Sequence, residues 1–274
     1  MSLLAVRVAG LSAVTRDAVS AALFDAGAPS VQEDRDELLT YLPNDASLDG
    51  VRRVVAAEAG AILDVREASG KEVDQEWPST VGVSRAGPFA ISPPWLTSTA
   101  DAEIVISIDP AMAFGTGEHP TTRGVLRLIQ HLVRPGDRVA DLGTGSGVLA
   151  IAAARLGALR VAAIESDPEA IGNADENVRT NGVSDRVVVI EGHAETILPH
   201  VSPVHLVLAN IVSSTLISLL PAIRAALTAD GLAIFSGILV AEREEFVSAL
   251  AKARWRVERE DIEDEWWTAV VRPA

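Results

Sequence analysis

Apolar and polar positions recur with two different rhythms along the chain. Over residues 1–68 the stretches are short. Leu3–Val8 partly alternates and suits a strand. A helix is expected from about Arg16 to Asp25, with Val19, Leu23 and neighbouring alanines on its apolar side, Thr15 as its cap and Gly27 as its stop. Ser30–Glu33 and Leu38–Leu42 read as one interrupted strand or a hairpin. Ser47 or Asp49 opens a second helix through Ala59, closed by Gly60, and Ile62–Glu67 is the last strand. An antiparallel sheet with both helices on one face, a small α+β ferredoxin-like domain, packs such elements naturally.

The pattern breaks over residues 69–100. Pro78, Pro88, Pro93 and Pro94 lie among Gly, Ser and Thr, which marks a linker, with Trp77 and Trp95 as packing anchors in it. From residue 101 to 274 strands and helices alternate regularly. Helices are expected at Pro120–Leu132, Val148–Leu156, Pro168–Thr180, Thr215–Leu227 and Glu242–Ala253. Strands are expected at Arg138–Leu142, Arg160–Glu165, Arg186–Ile190, Val204–Ala209, Leu232–Ser236, Trp255–Glu260 and Trp267–Val271. This order predicts an α/β fold with a mainly parallel sheet, helices on both faces and a terminal antiparallel hairpin.

Composition narrows the class. Of 274 residues, 48% are hydrophobic and 22% charged, as in a folded globular protein. Cysteine is absent, so disulfides and thiolate metal sites are excluded and a cytoplasmic location is the simplest expectation. Met1–Gly10 lacks the basic and apolar regions of a secretory signal. Leu206–Ile223 carries no formal charge over 18 residues, yet Asn210, Ser213, Ser214, Thr215, Ser218 and Pro221 divide it into strand, loop and helix rather than a membrane span. The net charge of −15 repels phosphate backbones and favours basic partners, so direct nucleic-acid binding is not expected.

Candidate chemistry gathers at three places. Asp141-Leu142-Gly143-Thr144-Gly145-Ser146-Gly147 lies between a strand and a helix. Its glycines permit a sharp turn and let a ligand approach the backbone, Gly143 and Gly145 foremost, while the helix start supplies N–H groups. The spacing is Gly-x-Gly-x-Gly and not that of dinucleotide folds. Asp141 suits a ligand that bears a cation, such as the ammonium of S-adenosylmethionine. Glu165, at the tip of the next strand, is placed to accept from both hydroxyls of a ribose, and Asp167-Pro168 reads as a helix cap. The second place is the loop Asp109–Thr122, where Phe114, Thr116 and glycine amides are set to cover the cofactor and exclude water. His119 in it reads as a cap or packed ring before a catalytic base. The third is Leu208-Ala209-Asn210-Ile211 at the end of a strand, where Asn210 is a candidate for positioning an amine acceptor. His193 borders either the adenine or solvent, and His205 packs at a strand start. No side chain stands out as a general base, and no metal is expected.

Together these segments, with Asn177–Val183, Ser236-Gly237-Ile238-Leu239 and Asp264-Glu265-Trp266, resemble the PrmA family, bacterial methyltransferases of the eleventh large-subunit ribosomal protein. The resemblance spans nearly the whole chain. It implies a seven-strand, Rossmann-like class I methyltransferase domain over 101–274, a ferredoxin-like substrate-recognition domain over 1–68, and S-adenosyl-L-methionine as cofactor. It also implies cofactor contacts at Thr122, Gly143, Glu165 and Asn210, and methyl transfer to lysine side chains or an α-amine of a basic ribosomal protein. Four positions depart from the family pattern: Glu118 for Thr, Glu165 for Asp, His205 for Asp, and a short linker. Methylation of RNA or a small molecule, and an inactive ribosome-associated binding module, are the alternatives. The lack of an Asn-Pro-Pro-Tyr or Asp-Pro-Pro-Tyr stretch weighs against nucleobases.

Overall fold

A computed structural model describes residues 2–28, 31–34, 37–58, 60–69, 82–109 and 115–274. The chain divides into two compact units, Met1–Val81 and Gly82–Ala274. The first runs β1 (Ser2–Ala9), α1 (Ala13–Asp25), β2 (Gln32–Asp34), β3 (Glu37–Pro43), α2 (Asp49–Val55) and β4 (Ile62–Ser69). Its strands form an antiparallel sheet in the order β2-β3-β1-β4, with β1 central between β3 and β4. This is β-α-β-β-α-β connectivity. Val6, Val8, Leu38 and Leu42 from the sheet pack with Val19 and Leu23 of α1 and Val51 and Val55 of α2. The α1 cap is Ser12 and not Thr15: the Ser12 side chain accepts from the Thr15 amide at 3.4 Å, because the helix starts three residues earlier than the apolar stripe suggests. α2 stops at Val55, short of Ala59, and Ala59 itself lies outside the described residues.

The expected linker ran to Ala100, but its second half belongs to the second unit. There β5 (Ser84–Ala86), β6 (Phe89–Ser92) and β7 (Ile104–Ser107) form a three-stranded sheet, with a 3-10 turn at Pro94–Thr99. The prolines misled the reading: Pro88 sits in the β5–β6 turn and Pro93 and Pro94 open the 3-10 turn, while Phe89, Ala90 and Ile91 between them are fully buried; Pro78 lies outside the described residues. Trp95 is 43% exposed, so it anchors little, and Trp77 lies outside the described residues.

The rest of the unit is α3 (Pro120–Ile129), β8 (Arg138–Leu142), α4 (Val148–Arg155), β9 (Arg160–Glu165), α5 (Pro168–Thr180), β10 (Val187–Glu191), α6 (Ala194–Val201), β11 (Val204–Asn210), α7 (Ser213–Ala226), β12 (Leu227–Leu239), α8 (Arg243–Lys252), β13 (Trp255–Glu263) and β14 (Trp266–Pro273). Seven strands form one sheet in the order β10-β9-β8-β11-β12-β14-β13. The first five are parallel, and β14 runs antiparallel to both β12 and β13. The central strands are buried on both faces, as parallel strands between helices must be. Leu206, Leu208 and Ile234 face α3, α4 and α5, whereas Val207, Ala209 and Phe235 face α6, α7 and α8. Among the described residues no helix is long and apolar enough to cross a membrane, and Leu206–Ile223 divides between β11 and α7.

Candidate functional site

The reversal of strand order lies between β8 and β11, and a sheet of this kind opens a crevice at the carboxyl ends of those strands. The chemistry-bearing segments meet along that rim. The glycine turn leaves β8 with the amides of Gly143 and Thr144 both donating to the Ile164 carbonyl, at 2.9 and 3.0 Å. Gly143 is exposed, has φ +67°, and a Cβ there would lie 2.7 Å from Cγ2 of Ile211, beside Asn210. A side chain at position 143 would therefore be strained by the positive φ and would force Ile211 to move.

Asp141 is fully buried. Its Oδ2 accepts from Thr144 Oγ1 at 2.6 Å and from the Ala150 amide at 3.1 Å. Its Oδ1 has no protein partner. Burial pushes its pKa up to about 7; the bonds from Thr144 and Ala150 pull it down, and the nearby charge of Glu165 adds to the rise. Glu165 is itself held by backbone: Oε2 accepts from the Gly145 amide at 2.9 Å, and Oε1 from the Ser166 and Asp167 amides at 2.7 and 3.0 Å. A carboxylate with about four lone-pair positions still has acceptor capacity after three such bonds. Asp167 caps α5, accepting from Glu169 at 3.0 Å.

The loop before α3 joins this turn. The Gly115 carbonyl accepts from Ser146 Oγ at 2.8 Å, and Gly117 packs so tightly that a Cβ would lie 2.6 Å from Ile91. Thr116 is half-buried between them, and Phe114 lies outside the described residues. Glu118 is exposed, with its Oε1 accepting from the Gly82 amide at 3.2 Å. His119 caps α3: its Nδ1 accepts from the Thr121 amide at 3.3 Å, and its ring stands edge-on to Trp266 with centroids 4.9 Å apart. Burial and the Arg123 charge lower its pKa. At the end of β11, Asn210 Nδ2 donates to Thr122 Oγ1 at 3.4 Å.

Two asparagines bind these parts together, and sequence reasoning gave them no role. Asn177 is 1% exposed; its Oδ1 accepts from the Asp109 amide and its Nδ2 donates to the Ser146 carbonyl, each at 2.9 Å. One turn on, Asn181 pairs with both the amide and the carbonyl of Ser107. Asparagine is a poor helix former, so Asn177 inside α5, one turn before Asn181 at its C-cap, was the available signal. His193 is exposed. His205 accepts at Nδ1 from the Arg138 amide at 3.0 Å, which is a strand-start packing role.

The family model described as Ribosomal protein L11 methyltransferase (PrmA) matches residues 9–273. The chain belongs to this family. The ribosomal protein L11 methyltransferase of Thermus thermophilus is 38% identical over 252 residues, 91% of this chain and 92% of that one. Its counterpart in Chloroflexus aurantiacus is 36% identical over 267 residues, covering 86% and 81%. A crystal structure of ribosomal protein L11 methylase from Lactobacillus delbrueckii subsp. bulgaricus superposes with a TM-score of 0.63 at 31% identity, over 70% of this chain and 99% of that one. The precorrin-8w decarboxylase structure from Methanobacterium thermoautotrophicum, at 24% identity and a TM-score of 0.50, shares the fold. Membership in the family makes this PrmA-type chain a methyltransferase.

Proposed function

We propose that the chain transfers methyl groups from S-adenosyl-L-methionine to amine nitrogens of ribosomal protein L11, on lysine side chains or the α-amine. The observation that carries the cofactor reading is the unpartnered, fully buried Oδ1 of Asp141 at the floor of the glycine turn. A buried polar atom without a partner is costly unless a ligand satisfies it, and a carboxylate oxygen there matches a cationic ammonium. Gly143 and Gly145 leave the backbone open to the ligand, and Glu165 presents acceptor oxygens at the next strand tip, where an acid meets ribose hydroxyls in sheets of this kind. Thr116 would close over the other end, and Thr122 and Asn210 would border the transferred group. These residues fit the cofactor.

When bound, the cofactor supplies a methyl on a sulfonium, already an excellent leaving group. The protein's task is alignment and exclusion of water. Thr122 takes one amide hydrogen of Asn210 and so turns the amide; its carbonyl oxygen remains to accept from an incoming amine. A lysine must arrive neutral, against an ordinary pKa of about 10.4, and partial burial near a positive centre lowers that value. His119, committed through Nδ1 to the α3 cap, serves the framework here. The substrate follows from the family and from the −15 net charge, which favours a basic protein. The test is label transfer from methyl-labelled S-adenosylmethionine into purified ribosomal protein L11 and, separately, into ribosomal RNA. Methyl-lysine or methylated α-amine in L11 with unlabelled RNA is expected; label in RNA alone overturns the reading.

A further inference from the structure

Three adjacent strands each place a polar side chain on the α3 face of the sheet, in rows that are otherwise apolar. Asn210 of β11 follows Leu206 and Leu208, Ser236 of β12 follows Ile234, and Thr268 of β14 precedes Val270. Asn210 and Ser236 are register partners on neighbouring strands. They grip successive residues in the first turn of α3: Asn210 Nδ2 donates to Thr122 Oγ1 at 3.4 Å, and Ser236 Oγ donates to the Thr121 carbonyl at 3.1 Å. Ser236 Oγ also lies 2.6 Å from Thr268 Oγ1. Serine has a single hydroxyl hydrogen, already given to Thr121, so Thr268 is the donor in that pair.

Ser236, Thr268, Thr121 and Thr122 are each at most 2% exposed, so these four are sealed from water, with half-buried Asn210 at the end of the row. A buried hydrogen-bond chain of this sort fixes one geometry, because a member displaced from its partner has no water to replace it. We infer that Ser236 and Thr268 are positioning residues for methyl transfer: through the Thr121 carbonyl they set the first turn of α3, and through Thr122 they set the amide of Asn210 against the acceptor. This rests on the proposed function for the role of Asn210, and it assigns work to two residues that touch neither cofactor nor acceptor.

The test compares Ser236→Ala, Ser236→Ala with Thr268→Val, and Thr268→Ser in the full chain, with S-adenosylmethionine and ribosomal protein L11. Ser236→Ala breaks the link and strands the Thr268 hydroxyl; the double variant breaks the link with no stranded group; Thr268→Ser keeps the donor. The expected result is kcat about tenfold lower in both variants lacking Ser236, the scale of a misplaced but present group. KM for L11 and cofactor affinity stay within about twofold, stability is recovered in the double variant, and Thr268→Ser retains near-normal kcat. If kcat recovers together with stability in the double variant, or is unchanged in Ser236→Ala, the inference is overturned. If the unaltered protein methylates nothing in L11, the functional reading fails instead. The side-chain amide signal of Asn210 by nitrogen-15 NMR then decides the inference alone: it must shift in Ser236→Ala and stay in place in Thr268→Ser, and an unmoved signal in the former overturns it.

Discussion

Asp141 sits where burial and function pull in opposite directions. Its carboxyl is raised to about 7 in the folded chain, above the ordinary value of 3.8. A raised folded value stabilises only while the group is protonated; the contribution is full below the ordinary value and is lost as pH rises through about 7. The ligand-free protein should therefore lose thermal stability between about pH 4 and pH 7, and Asp141→Asn should flatten that dependence. Binding of S-adenosylmethionine should strengthen over the same interval as the carboxylate forms. A melting temperature flat across it would contradict the burial account. Asn177→Ala should cost about 1–3 kcal/mol, chiefly by leaving the buried Ser146 carbonyl without its partner, read by denaturant titration. At this scale the sequence was informative where chemistry is local. The Asp141–Gly147 turn declares itself because its glycines and acid lie within seven residues. Asn177, Ser236 and Thr268 did not, because their partners stand 31 to 115 positions away and only folding reveals them.

Elements were legible to the extent that their faces are continuous. β8, β9 and α5 match the expected bounds because their apolar runs and caps coincide. α6 was missed altogether. It is eight residues long, contains Pro199 and buries only Leu198, which is too little periodicity to distinguish it from a loop. β12 runs from Leu227 to Leu239, well beyond the apolar core Leu232–Ser236, because pairing with β11 and β14 extends it through polar positions. α3 is tied to β13 by ion pairs that no local pattern announces. Arg127 Nε meets Asp261 Oδ2 at 2.9 Å, its NH1 meets Glu263 Oε2 at 2.7 Å, and Arg123 Nε meets Glu263 Oε1 at 2.8 Å. Arg123 foremost, then Arg127, holds the Glu263 pKa below its usual range. Such a group stabilises above its ordinary value and loses that contribution as pH falls through the depressed one. Glu263→Gln should cost about 1 kcal/mol at neutral pH and less in high salt, since the cluster is partly exposed. A loss that grows with salt would contradict a charge-based tie.

Across the whole molecule the chain divides into two units, each with a core of its own. Residues 82–274 contain both helical layers, the seven-stranded sheet and every described residue of the rim, whereas residues 1–81 carry their own core. We propose that the first unit presents the protein substrate. Removing residues 1–81 should leave cofactor affinity within about twofold while abolishing label transfer into L11; undiminished transfer by the shortened chain would assign the first unit another task. The three-layer α/β plan was readable from alternation alone, since burying a parallel sheet on both faces demands it. The extent of the second unit was not, because prolines in residues 82–100 imitate a linker while Phe89 and Ile91 fill its core. We propose that the carboxyl rim between β8 and β11 holds an adenosyl sulfonium compound, and the rest of the account depends on it. Isothermal titration of the purified full chain with S-adenosylmethionine measures that directly. One site per chain is predicted, weakened at least tenfold by Asp141→Asn in a folded variant, and a folded protein that gives no binding heat by this and no protection from thermal unfolding would contradict it.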